Sequence, residues 1–411
     1  MSLRIVVTGL IAQHPQLGGM TWHYLQYVVG LARLGHDVVY LEDSGEVPYN
    51  FDGGASGNDW VEKNWRANVE YLAKTLERFG LRERWAYRYP PTGEWLGLSD
   101  ARRRETLASA DLLLNVSGTL EHPERYRQVR RLVYVDTDPV VTQVKIAAGG
   151  RSFPRRVDAH DLHFSFGERL AAPVPETGHR WRPTRQPILL SEWEASAPSR
   201  DVFTTIMSWT SYAPLRHAGR SWGQKDVEFK RFMDLPGAVA PARMEVALGP
   251  TQHVEWEAAD ETLPPRWLAL ARARREWTPR ELVAHAGWRV VDAQRACGDL
   301  DRYREYIQSS RGEWSVAKHA YVQGQPGWFS ERSACYLASG RPVVVQDTGL
   351  AGVLPLGEGL LAFRTLEEAA AAIHAVEADP PRHARAARAI AEACFDSDRV
   401  LSRLLDEALG S

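Results

Sequence analysis

Alternation is the feature that most constrains this chain. Arg4–Thr8 (RIVVT) is a short β-branched run, the pattern of a strand buried on both faces. A loop, GLIAQHPQLGG, separates it from an apolar helix pattern around Met20–Leu34. That pattern stops at Gly35, a residue that accepts a left-handed helix end at low cost. His36–Leu41 (HDVVYL) is strand again. Strand, long glycine loop, helix and strand make a βαβ unit, whose crossover is right-handed.

The alternation continues. Trp60–Phe79 has a long helix pattern, and Asp111–Val116, Arg131–Val135 and Leu162–Phe166 are strand cores. From about Pro173 to Ser199 the character changes: Pro173, Pro175, Pro183, Pro187 and Pro198 leave little room for helix. A new strand series follows at Val202–Met207, Met244–Leu248, Trp288–Val291 and Pro342–Val345. Thr278-Pro279-Arg280-Glu281 and Thr365-Leu366-Glu367-Glu368 carry the Thr-x-x-Glu signature of helix starts. The expected fold class is α/β, with two doubly wound Rossmann-like domains facing across a cleft. Residues 1–185 form the first domain and 186–395 the second. Residues 396–411 form a C-terminal helix able to pack back on the first domain.

Bulk properties agree with two globular cores. The chain has 411 residues, 44% hydrophobic and 25% charged. A net charge of -2 gives no global electrostatic case for nucleic acid or an acidic membrane surface. Cys297, Cys335 and Cys394 are far apart and odd in number, which argues against a disulfide framework. The histidines show no HxxxH or HExxH spacing, so no metal site is expected. The N-terminus enters a strand at once, and no apolar run approaches the roughly 20 residues that cross a bilayer. The sequence therefore reads as cytoplasmic.

The densest chemistry lies in Gly327–Gly349, GWFSERSACYLASGRPVVVQDTG. Ser330 is a good N-cap for a helix over roughly Glu331–Ala338. The first turn of such a helix offers free N–H groups and a positive dipole end to phosphate. Ser333 adds a hydroxyl and Arg332 a guanidinium. Gly340-Arg341-Pro342 then turns the chain into a buried strand ending in Gln346-Asp347-Thr348. One sheet edge thus offers anion donors beside a carboxylate, an amide and a hydroxyl, the chemistry wanted by a sugar joined to a diphosphate.

With these residues the chain resembles the GT-B class of nucleotide-sugar-dependent glycosyltransferases. The resemblance is carried by YREYIQSSRGEWSVAKHAYVQGQPGWFSERSACYLASGRPVVVQDTGL and the later EGLLAFRTLEEAAAAI, and more loosely by Leu17-Gly18-Gly19 and Leu34-Gly35-His36-Asp37-Val38. It implies transfer of a sugar from a nucleoside diphosphate sugar to a hydroxyl or other nucleophile of a small-molecule acceptor, with specialised metabolism as one setting. It implies no cofactor, because helix amides neutralise the leaving diphosphate. It also implies that residues 1–185 are the acceptor-binding domain and 186–395 the nucleotide-sugar-binding domain, and that Gly18 and Gly19 approach the diphosphate. The pattern departs from the class at two points: many retaining members carry two glutamates flanking the donor helix, where this chain holds Gly327 and Cys335, and the histidine that inverting members often place in the helix-start region is missing.

His14, in the first loop, is the candidate general base implied by inverting members of the class. Asp43 and Glu42, ending the second strand, are alternatives, and His23 is a structural or acceptor-side residue. Lys225, after Trp222-Gly223-Gln224, and Lys318, in SVAKHAY, are candidate phosphate ligands against an exposed-loop alternative. Ser309–Glu313 is expected to border the nucleotide base. Asp136 and Asp138, ending RLVYV, have the spacing of a divalent-metal pair, but the class implies none. The acceptor segments are Asp43–Trp60 and Arg82–Leu98, whose Tyr49, Trp60, Trp85, Tyr87, Tyr89 and Trp95 are suited to stacking. Rival readings are a nucleotide-sugar epimerase of the same fold and a two-lobed binding protein. Gly9, Gly18 and Gly19 do not make the GxGxxG of a dinucleotide oxidoreductase.

Overall fold

The computed structural model describes residues 2–15, 17–48, 58–250 and 262–410, the side chains of 58–64 excepted. The β-branched runs become the strands of two separate sheets. The first sheet has eight strands, in the order Trp95–Gly97, Trp85–Arg88, Asp37–Glu42, Arg4–Thr8, Leu112–Val116, Leu132–Asp136, Leu162–Ser165 and Trp181–Pro183. Only the Trp85–Arg88 and Trp95–Gly97 pair is antiparallel. The second sheet has six strands, in the order Arg289–Asp292, Met244–Leu248, Phe203–Met207, Gly312–Ser315, Val343–Gln346 and Leu360–Phe363, all parallel.

Both sheets are wound the same way. The first strand in the chain sits in the interior, the next ones build outward on one side, and later ones build on the other. At the reversal, the loops leaving the two central strands part in opposite directions and open a crevice beyond their carboxyl ends. In the first sheet the crevice lies between Thr8 and Val116, and in the second between Met207 and Ser315.

Four strands of these sheets were not expected from the sequence pattern: Trp85–Arg88 and Trp95–Gly97, which lie in a segment read as acceptor-binding, and two others. Gly312–Ser315 (GEWS) is central in the second sheet, although Gly and Glu are poor strand formers. Tertiary context decides: Glu313 is fully buried, and the Trp314 ring stacks on Phe363 at 5.5 Å and tilts against Trp288 at 5.0 Å. Trp181–Pro183 lies inside the proline-rich stretch as an edge strand, where proline is tolerated. The Thr278 helix start is built as its sequence implies, with the Glu281 carboxylate accepting from the Thr278 N–H at 2.6 Å.

The helix Gly18–Arg33 joins the two halves. Its Trp22 indole donates to the carbonyl of Leu300, at the start of the second-domain helix Leu300–Ser309, at 2.9 Å. A Cβ at Gly18 would stand 2.3 Å from the Asp299 carbonyl, so only glycine permits this approach. Farther along the same helix, a Cβ at Gly30 would meet Leu401 of the final helix, Ser397–Leu409. That helix is delivered by backbone bonds from the Ile188 N–H to Phe395 and from the Ser397 N–H to Ile188. One apolar cluster accordingly runs through both halves, from Ile5 and Trp22 to Tyr303, Phe329, Phe395 and Leu404.

Trp22 is fully buried and contacts Trp193 at 5.2 Å. Trp22→Ala leaves a large cavity at this junction and is expected to destabilise the protein by about 3–5 kcal/mol. Chemical denaturation read by fluorescence checks it, and a loss below about 1 kcal/mol would place the junction's stability elsewhere.

Candidate functional site

The second-sheet crevice gathers side chains from four segments. Lys225 starts the helix Lys225–Phe229, Lys318 is the N-cap residue of His319–Gly324, Ser330–Ser333 begin Glu331–Ala338, and Gln346–Thr348 leave Val343–Gln346. Winding brings these distant segments together, since each leaves the same carboxyl edge.

The individual roles differ from the sequence reading. Arg332 is not a free phosphate ligand. Its guanidinium is buried and donates to Glu313 Oε1 at 2.6 Å, the Ile206 carbonyl at 2.6 Å and Ser315 Oγ at 2.5 Å. Burial opposes its charge, and the Glu313 carboxylate more than restores it. Asp347 is committed as well. Its Oδ1 accepts from the Gly349 and Leu350 N–H groups at 2.9 and 3.1 Å, and its Oδ2 from Arg364 at 2.6 Å. Burial raises the Asp347 carboxyl, but Arg364 and the backbone donors together hold it below its usual range. Thr348 donates to the Trp328 carbonyl at 2.5 Å, closing its own loop. Gln346 accepts from the Ala317 N–H at 3.2 Å and donates to Glu228.

Ser330, Ser333 and Lys225 stand at the crevice without such commitments. Ser330 is in extended conformation at the N-cap, and its side chain makes no capping bond to the first-turn amides. Ser333 Oγ is fully buried with no hydrogen-bond partner among the described residues. Lys225 is partly buried, with no hydrogen bond or ion pair among the described residues. Burial, then the nearby charges of Arg332 and Lys318, push its ammonium well below its ordinary value. A narrow cavity lined by Ser315, Trp328, Ser330, Ser333, Gln346 and Thr348 opens at the two serines.

The sequence reading missed a dyad here. The His319 Nδ1 lies 2.7 Å from Glu228 Oε1, and Glu228 is fully buried. Burial raises the Glu228 carboxyl, but His319 and Gln346 outweigh it and hold it ionised. The signals were Glu228 one helical turn after Lys225 and His319 directly after Lys318.

In the first domain, Glu42 organises the loop that carries His14. Its two oxygens accept from the Ala12 N–H at 2.9 Å, the Gln13 N–H at 2.7 Å and the Tyr40 hydroxyl at 2.7 Å. Burial lifts its carboxyl to about 7 despite these donors. Burial lowers the His14 imidazole to about 4, so it is neutral at physiological pH. Asp43 is not available as a base, because it is buried and holds the Tyr126 hydroxyl at 2.6 Å and Arg88 at 3.3 Å. His23 lies 3.3 Å from Ser117 Oγ, which meets Thr137 at 2.8 Å, beside the first-sheet crevice. Gly18 and Gly19 face Asp299 and Tyr303 and serve the domain junction.

The expected stacking residues Trp85, Tyr87 and Tyr89 are core, and Tyr89 stacks on Trp65 at 3.9 Å. Trp95 packs under Arg103 at 4.0 Å. Tyr49 and the Trp60 side chain lie outside the described residues. Ser309–Glu313, expected at the nucleotide base, instead leads into and begins the central strand Gly312–Ser315.

Residues 265–406 match the glycosyl transferase-like family. No curated protein sequence matches. Among solved structures, the chain is similar to Alr3699/HepE of Anabaena in complex with UDP and glucose, at 13% identity, TM-score 0.55 and full coverage of both chains. It is similar to an α-glucosyltransferase in complex with UDP and a 13-mer DNA, at 12% identity, TM-score 0.57 and 100% coverage of both. A sucrose-phosphate synthase from Thermosynechococcus elongatus aligns at 12% identity, TM-score 0.53 and 99% coverage of each chain. The fold is therefore the two-domain GT-B fold.

Arg332→Met leaves Glu313 buried without its partner. It is expected to cost about 3–5 kcal/mol of stability whether or not a ligand is present. Equal melting of wild type and variant would instead return Arg332 to a ligand-binding role.

Proposed function

We propose that this chain, a glycosyltransferase by its C-terminal family match and its GT-B fold, transfers a sugar from a uridine diphosphate sugar to a hydroxyl of a small-molecule acceptor. One observation carries the donor half. Lys225, for which no ion pair is found among the described residues, feels the charges of Arg332 and Lys318 at the second-sheet crevice, where the Ser333 hydroxyl in the first turn of Glu331–Ala338 has no hydrogen-bond partner among the described residues. A diphosphate supplies the missing negative charge and the missing acceptors. The same groups stabilise it as leaving group, with no cofactor needed. UDP is favoured because it is bound in the similar structures.

His14 supports the acceptor half as the base that takes the acceptor proton, since burial keeps it neutral. The small-molecule acceptor rests on a net charge of -2, which offers no bulk attraction to a nucleic acid.

The test is a thermal-shift screen with UDP, TDP, GDP, ADP and NAD, because a ligand that binds the folded state raises apparent stability. A shift with UDP alone is expected. Lys225→Met is expected to weaken UDP binding about tenfold or more while leaving the melting temperature of the free protein unchanged or higher. Retained UDP affinity would remove Lys225 from the site.

The pH profile follows from His14. A base works when unprotonated, and its pKa is lowered from 6.5 to about 4. Activity is therefore expected to persist below pH 6.5 and to fall as pH approaches about 4. An acid limb centred at 6.5 would point to a more exposed base.

A further inference from the structure

Lys318 belongs to the second domain and leaves the central strand Gly312–Ser315, yet its charge is met by the first domain. Its Nζ lies 2.9 and 2.8 Å from the two oxygens of Asp138, two residues beyond the strand Leu132–Asp136. Both side chains are largely shielded, 18% exposed for Lys318 and 31% for Asp138. Tyr212 bridges the pair, donating to Asp138 Oδ2 at 3.1 Å and meeting Lys318 Nζ at 3.1 Å. Tyr321 donates to the other oxygen of Asp138. Apolar contacts surround this knot: Val140, Val144 and Val174 of the first domain pack with Ala317, Ala320 and Tyr321 of the second. Asp138 is therefore held against the second domain's crevice by hydroxyls, a lysine and an apolar collar.

Its partner lysine is one of the cations at that crevice. Lys318 acts electrostatically on Lys225, whose ammonium makes no ion pair among the described residues, and Arg332 is bound to Glu313. An anion arriving at Lys225 meets Lys318 already paired with a carboxylate. A carboxylate and a phosphate offer the same two-oxygen face to an ammonium, so they compete for it.

We propose that Asp138 is an acceptor-positioning residue that occupies Lys318 in the free protein and yields it to the donor diphosphate. The proposal rests on the donor reading given above. Once Lys318 pairs with the diphosphate, the Asp138 carboxylate is left at the domain boundary with Tyr212 and Tyr321. There it accepts a hydrogen bond from the nucleophile's hydroxyl. In the transfer, the nucleophile's oxygen forms a bond to the sugar's anomeric carbon and the bond from that carbon to the diphosphate oxygen breaks. Its electron pair stays on the diphosphate, and the nucleophile's proton passes to the base. Asp138 orients that hydroxyl without leaving its own place. Donor therefore binds before acceptor, because the carboxylate is engaged until the diphosphate arrives.

Competition and positioning give opposite signs in one variant, which a merely structural residue does not. In Asp138→Asn the competing charge is gone, so UDP affinity, measured by calorimetry, is expected to rise at least about fivefold. Hydrolysis of UDP-glucose, with water as the nucleophile, is expected to fall about tenfold or more in kcat. Asp138→Ser is measured beside it, so that a folding defect in one variant does not decide the matter. UDP affinity at or below that of wild type in a variant with native melting overturns the proposal. So does hydrolysis within about threefold of wild type. If wild type binds UDP and only the variant effects are missing, this inference fails and the donor reading stands. If neither wild type nor variant binds any nucleoside diphosphate, both fall.

Discussion

A parallel sheet that reverses its winding leaves its two central strands without a shared crossover, and something must hold their ends in register. Here that is Arg332. Its guanidinium bonds the Ile206 carbonyl on one strand and Glu313 and Ser315 on the next, so one planar fork ties both sides of the reversal. The interaction is buried, and its geometry, with a carboxylate among three acceptors, is the kind that can offset the desolvation of both charges. The crevice at that reversal then has fixed walls. The first turn of Glu331–Ala338 is held in place by the same residue, because Arg332 lies in it.

The fixed crevice explains the uneven treatment of cations around it. Arg332 cannot lose its proton, so it is matched with a carboxylate. Lysine can shift its pKa when it is shielded, and Lys225 carries that burden with no ion pair among the described residues. Leaving an ammonium unmatched costs stability, which is why such groups cluster where a ligand supplies the counter-charge. The first domain shows the reverse arrangement: Glu42 is surrounded by donors and still lifted to about 7 by burial, because its work is to hold the first loop.

Much of this fold was legible because its strands are short β-branched runs and its helices begin with capping residues. Arg4–Thr8 and Met244–Leu248 have the predicted limits in the structure, and the others differ at their ends by one or two residues. Gly312–Ser315 was not legible. Its Gly and Glu disfavour a strand, and neighbours distant in sequence, such as Phe203 and Phe363, make it one. The site was legible in place and illegible in role. Pattern located the sheet edge and named Lys225, Lys318 and Ser333, but residue type alone does not reveal which polar groups serve one another. Arg332, Asp347 and Thr348 are the residues that chemistry favours for a sugar diphosphate, and each is engaged by a partner 17 to 20 residues away or farther. Glu228 and His319, 91 residues apart, meet only through the winding of the second sheet.

The junction between the domains has its own consequence. Helix Gly18–Arg33 is built into the second domain through Trp22 and into the final helix through Gly30, so the domains share core and not merely surface. Rigid closure over a ligand would be expensive if every contact were of this kind, because packed interiors resist small shifts. The knot at Asp138 and Lys318 is of a different kind. Ion pairs and hydroxyls can exchange one partner for another with little change in packing, whereas interdigitated side chains cannot. The geometry thus divides the work, with an apolar junction that fixes how the two sheets face each other and a polar one whose partners can be replaced by those of a substrate.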